Sequence, residues 1–136
     1  MSAPFQSRPI SDCSDLIGMP YVLGADGSRG SIDCIHLVYE ALRVMKVPTP
    51  PFKQRWYETP AKEIMRDINE WGIRIASPTY DGDVSILPDS ETGWAFGVTW
   101  CSGLLHINRA VMAVNWAPLN MVPVSRSYRY CPMSER

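Results

Sequence analysis

From residue 34 onward the apolar positions Ile35, Leu37, Val38, Ala41, Leu42 and Met45 recur near helical spacing, with His36, Glu40 and Arg43 between them. Asp33 is a suitable N-cap for that helix, its charge lying at the favourable end of the helix dipole. Val47 and the proline cluster at 48–51 stop it. Upstream, the glycines at 24, 27 and 30 leave residues 24–31 without a regular pattern, so this stretch reads as a loop. Further upstream, Ser11 or Asp12 caps a short helix running through Ile17 and ended by Gly18 and Pro20. Ile64, Met65, Ile68 and Trp71 form the apolar stripe of a second helix, with Thr59–Pro60 as its start signal and Gly72 as its end.

After Pro78 the pattern changes. Segments 84–87, 94–100, 104–107, 111–116 and 126–131 read as short strands separated by Gly, Asn, Asp, Ser and Pro. Cys101-Ser102-Gly103 is a hairpin turn. Helices first and close-spaced strands afterwards predict an α+β fold, with N-terminal helices packed on an antiparallel β-sheet. The expected organisation is a single domain over 1–136. It comprises an irregular N-terminal arm at 1–9, a helical part at 10–72 and the sheet at 80–131.

The length, 136 residues, suits one domain with a real core, and a 46% hydrophobic, 20% charged composition suits a globular chain. The formal net charge of −1, with both signs mixed along the chain, gives no basic patch, so no nucleic-acid partner is expected. No apolar run approaches the length of a membrane span, and the polar, proline-containing start lacks a signal-peptide pattern. No membrane association is expected, and synthesis in a cytoplasm is. The four cysteines, Cys13, Cys34, Cys101 and Cys131, are widely spaced and form no C-x-x-C pair. Neither a metal site nor any cofactor is expected, and Cys13, Cys101 and Cys131 read as buried small apolar residues.

Cys34 stands where the loop ends and the helix begins. Unpaired N–H groups and the positive end of the dipole gather there, which lowers a thiol pKa and favours the reactive thiolate. A cysteine nucleophile also needs a base within hydrogen-bond reach. His36, two residues along the same helix, does not face Cys34. His106 lies on a predicted strand, and reads either as a hydrogen-bonded histidine of a half-buried strand or as the base. Phe52, Trp56 and Tyr57 in the proline-rich loop read as a lid over the core or as one wall of a binding groove. Asp26 and Arg29 read as loop residues, and Asp81 and Asp83 as shapers of a turn. Tyr128 and Tyr130 read as one packed face of a strand.

Pro-Tyr-Val-Leu-Gly at 20–24, the glycine-rich loop, Asp33-Cys34 and then Leu37-Val38 resemble the NlpC-type cell-wall cysteine peptidases. Gly82-Asp83-Val84 resembles that family's Gly-Asp-Leu strand, and Gly97-Val98 the middle of its His-Val-Gly-Ile strand. The resemblance covers roughly residues 10–116. It implies a papain-like α+β core, Cys34 as nucleophile, and peptidoglycan stem peptides as substrate. Two departures accompany it. Ile35-His36 replaces the family's usual Ser-Gly, and the family's general-base histidine falls on Ala95, while His106 falls near the third, orienting position.

The candidate catalytic residues are therefore Cys34 and His106. The candidate substrate contacts are Tyr21, Asp33 and Trp56. Small, signal-less relatives resemble domains encoded with bacteriophage tail genes. The resemblance thus implies a structural subunit of a tail tip or baseplate hub with a degenerate site, made in the host cytoplasm and carried in the virion among other tail and baseplate proteins. Its alternatives are an active peptidoglycan peptidase or amidase, and a module that binds wall peptides without cleaving them.

Overall fold

The computed structural model describes residues 10–51, 53–58, 61–89 and 93–136, and of Ala61 and Lys62 only the backbone. The expected arm at 1–9, Phe52 and the Thr59–Pro60 start signal lie outside the described residues.

Two helices, α1 (Cys34–Val44) and α2 (Ala61–Ile68), accompany six strands: β1 (Gly72–Ile75), β2 (Val84–Leu87), β3 (Ala95–Trp100), β4 (Gly103–Asn108), β5 (Ala113–Pro118) and β6 (Arg126–Tyr130). The strands form one sheet in the order β1-β6-β2-β3-β4-β5, and every neighbouring pair is antiparallel. The architecture is the α+β one that the order of patterns predicts.

The register explains the core. Tyr128 opposes Val84, Val84 opposes Val98, Val98 opposes Leu105 and Leu105 opposes Trp116. Directly opposed residues share a face, so this row runs apolar across five strands. Helix α1 covers its centre, laying Ile35, Val38 and Leu42 into one cluster with Val84, Val98 and Leu105. Ile64 and Ile68 of α2 complete that cluster together with Trp56.

Asp12 caps a 3-10 turn at Cys13–Leu16, its carboxylate accepting from Ser14 N–H while Asp15 reaches back to the Asp12 N–H. Asp33 caps α1 as expected, and α1 ends at Met45, followed by Lys46 in the left-handed region. Trp100 and Gly103 are joined through Cys101 (φ 54°) and Ser102 (φ 61°), a two-residue hairpin turn with both central residues left-handed.

Three expectations are corrected. Gly72 does not end a helix; it opens β1, a strand that begins where the expected helical part stops and precedes the expected sheet. A Cβ at Gly72 would stand 2.4 Å from the Arg129 carbonyl oxygen, so the residue is small because β6 approaches closely. Gly103 is small for a similar reason, since the Trp116 ring occupies the place of its Cβ, at 2.1 Å. Of the three cysteines read as buried, only Cys13 is; Cys131 is half-buried, and Cys101 is exposed at the hairpin tip.

Candidate functional site

The first residue of α1, Cys34, opens onto a cavity of about 700 Å³. Its walls come from four places: the loop before α1 (Tyr21, Leu23), the turn carrying Tyr57 and Glu58, the β2–β3 connection (Leu87–Asp89, Trp94, Ala95), and the end of β4 with its following turn (His106–Ala110). Val122 and Pro123 close one side.

Asp33 organises the helix start. Its Oδ1 accepts from the His36 N–H at 2.8 Å and lies 2.8 Å from His36 Nδ1. Its Oδ2 accepts from Gly24 N–H at 2.9 Å and from the Tyr57 hydroxyl at 2.6 Å. A buried carboxylate holding four partners is fully occupied. His36 is therefore turned toward Asp33 at the side of the helix start.

The thiol chemistry differs from expectation. Burial pushes the Cys34 thiol up to about 11, from an ordinary value near 9. Asp33 and Asp89 push the same way, while a backbone hydrogen bond from Phe96 and the Arg109 charge oppose them. The helix start does not prevail because the thiol lies in an apolar setting with two carboxylates nearby. At neutral pH Cys34 is protonated.

Ala95, at the start of β3, lines the cavity where the resemblance would put the general base. His106 lines it too. Burial holds the His106 imidazole below its ordinary pKa against a backbone hydrogen bond at Ile107, so the ring is neutral at pH 7. Among the described residues its buried Nε2 has no hydrogen-bond partner. Tyr21 lines the cavity, its ring 5.5 Å from the Arg109 guanidinium carbon.

Trp56, expected as a substrate contact, is placed differently. It is buried completely, with its indole N–H donating to Asp67 at 2.9 Å and its ring 5.9 Å from Phe96. Tyr57 reaches the cavity instead. Of the two aromatics in the loop, one is core and the other is wall. The site also holds a pair that periodicity does not reveal: Arg109 donates through Nε and Nη2 to both oxygens of Asp89, each at 2.9 Å. These residues lie 20 apart in sequence, and only the sheet topology brings them together.

Asp83 is committed to structure, its Oδ2 accepting from the Thr79 and Tyr80 N–H groups and both oxygens from Arg129. Asp81 accepts from Cys101 N–H. Among the described residues no group of three His, Cys, Asp or Glu side chains could hold a metal ion, and no helix is long and apolar enough to cross a membrane.

No family model and no curated protein matches the sequence. Solved structures do. NlpC2 from Trichomonas vaginalis superposes with a TM-score of 0.60 at 20% identity, covering 96% of this chain and 48% of its own. NlpC1 from the same organism gives 0.60 at 21% identity, covering 96% of this chain and 45% of its own. The chain spans about half the length of these structures. Its fold is NlpC-like, a papain-type α+β architecture.

Proposed function

We propose that this chain is an NlpC-type domain whose peptidase chemistry has faded, serving as a structural subunit of a bacteriophage tail tip or baseplate hub. It is made in the host cytoplasm, assembles with other tail and baseplate proteins, and presents its cavity to peptidoglycan stem peptides. The observation that carries the faded chemistry is Ala95 on the cavity wall beside a Cys34 thiol that stays protonated at neutral pH. Without a general base the attack loses about 10²–10⁴-fold. The assembly role is supported by the exposed apolar residues Val22, Leu23, Val111 and Met112, which flank segments bonded to each other through Tyr21 N–H and the Met112 carbonyl. Two assays test the reading: digestion of purified peptidoglycan by wild type and Cys34→Ala, and mass spectrometry of purified particles. Cys34-dependent solubilisation would overturn the faded chemistry, and a chain absent from particles would overturn the assembly role.

One observation favours a second reading, an active peptidase or amidase. His106 lines the cavity as a neutral imidazole with an unpartnered Nε2. It would take the Cys34 proton as sulfur bonds to the peptide carbonyl carbon. It would then return that proton to the leaving amine as the C–N bond breaks, leaving an acyl-enzyme for water to hydrolyse. Loss of digestion in both Cys34→Ala and His106→Ala, against an active wild type, would select this reading.

A further inference from the structure

The end of the β4–β5 hairpin stands partly free of the sheet. Pairing of β3 with β4 ends at Val98 and Leu105, whereas β4 stays beside β5 through Asn108. Beyond Leu105 the two strands therefore form a two-stranded arm, tipped by the turn at 109–112. Both sides line the cavity, Ala95 from β3 and His106–Ala110 from the arm. On its outer edge the arm is joined to the segment before α1, Tyr21 N–H donating to the Met112 carbonyl at 2.8 Å. On the cavity side, among the described residues, no backbone hydrogen bond joins 109–112 to the β2–β3 connection. Arg109 spans that gap with its side chain, through the two bonds to Asp89 and with its guanidinium carbon 5.5 Å from the centre of the Tyr21 ring. Asp89 is buried at 6% exposure, but the Arg109 side chain keeps 33% of its surface in solvent. An ion pair open to solvent on one side weakens with salt.

We infer that the β4–β5 arm is a flap over the Cys34 cavity, latched by the Arg109–Asp89 pair, so that ionic strength sets access to the thiol. Breaking the pair frees the tip to swing away from Asp89 about its outer edge. Met112, left-handed at φ 51°, sits at the bend where the turn enters β5. The flap governs entry whether or not the thiol is active, so it goes beyond both readings of the site's chemistry.

The test is pulse labelling of the full chain with N-ethylmaleimide, an uncharged thiol reagent, read by peptide mass spectrometry. In about 1 M sodium chloride Cys34 of the wild type should label about three- to five-fold faster than in about 0.05 M. Buried Cys13, which lies outside the cavity lining, should keep one rate. Arg109→Gln should label at low salt as fast as the wild type does at high salt, and should lose the salt dependence. The sign is decisive. The Arg109 charge favours the Cys34 thiolate, so its loss without any opening would slow the label. In the wild type the Arg109 Nε–H signal should also move toward that of free arginine as salt is added, a readout that holds even if Arg109→Gln does not fold. Labelling of folded Arg109→Gln no faster than the wild type overturns the flap, as does salt-independent labelling of the wild type. Equal acceleration of Cys13 also overturns it, since the whole fold would then be loosening. None of these outcomes bears on peptidoglycan digestion, which tests the site's chemistry separately.

Discussion

The Tyr57 hydroxyl donates to Asp33 Oδ2 across 2.6 Å, tying the proline-rich connection to the N-cap of the helix that begins with Cys34. Burial raises the Tyr57 phenol well above its ordinary pKa, and its bond to the Asp33 carboxylate raises it further. Tyr57→Phe should therefore cost about 1–2 kcal/mol in urea unfolding, since a hydrogen bond to a charged group is lost. Asp33→Ala should cost more, about 2–4 kcal/mol, because it removes the cap and leaves the Gly24 and His36 N–H groups without their acceptor. A smaller loss for Asp33→Ala than for Tyr57→Phe would contradict this ordering.

Ala95 lies on the cavity wall between Trp94 and Phe96, at the start of the strand whose backbone bonds to the Cys34 sulfur. If the missing base is what silences the thiol, Ala95→His should confer hydrolysis of purified muropeptides by about 10²–10⁴-fold over wild type. The gain should vanish in Ala95→His combined with Cys34→Ala. It should be accompanied by faster alkylation of Cys34 at pH 7, because an adjacent imidazolium favours the thiolate.

The four cysteines should separate cleanly under native alkylation. Cys101 is exposed at the hairpin tip and should react first with iodoacetamide, as followed by peptide mass spectrometry. Cys34 should lag, since a thiol pushed up to about 11 is about one-thousandth thiolate at pH 8. Burial pushes Cys13 further, to about 12. Both thiols are neutral in the native state and ionise more readily when unfolded. Their stabilising contribution is thus complete below pH 9 and is lost as pH rises through about 11 and 12. Urea midpoints should fall from pH 9 upward, and Cys34→Ala should flatten part of that slope.

The local signals that the sequence carries well are those set by near neighbours. Asp33 before an apolar helical stripe and the strands from residue 84 onward are of this kind, and the fold follows from them. Strand β1 escapes because Gly-Ile-Arg-Ile is short, exposed in its middle and directly follows a helix, so its glycine reads as a stop. The assignment of Trp56 to core and Tyr57 to wall depends on where Asp67 lies, which aromatic content does not encode. The Asp89–Arg109 pair and the elevated thiol share this origin. They arise where distant segments converge, and burial there outweighs the helix start that the local sequence advertises.

Asp67 holds the turn that delivers Tyr57. Buried itself, it accepts from the Trp56 indole at 2.9 Å, pairs with Lys53 at 2.8 Å and lies 3.3 Å from Arg55. Burial alone would raise its carboxyl, but Lys53, Trp56 and Arg55 outweigh it and hold the group below the ordinary carboxylate range. A depressed carboxyl contributes stability above its unfolded pKa and loses it as pH falls through the folded value, so this contribution should decline below about pH 4. Asp67→Asn should weaken that acid dependence at a modest cost, since both cations are partly solvated. Asp67→Ala should cost about 1–3 kcal/mol by leaving the indole N–H buried without an acceptor. In the same variant the Trp56 indole resonance should shift in nitrogen–proton spectra and the Tyr57–Asp33 bond should loosen, lowering affinity for any peptide the cavity binds. An unchanged indole resonance would show that Asp67 does not hold the turn.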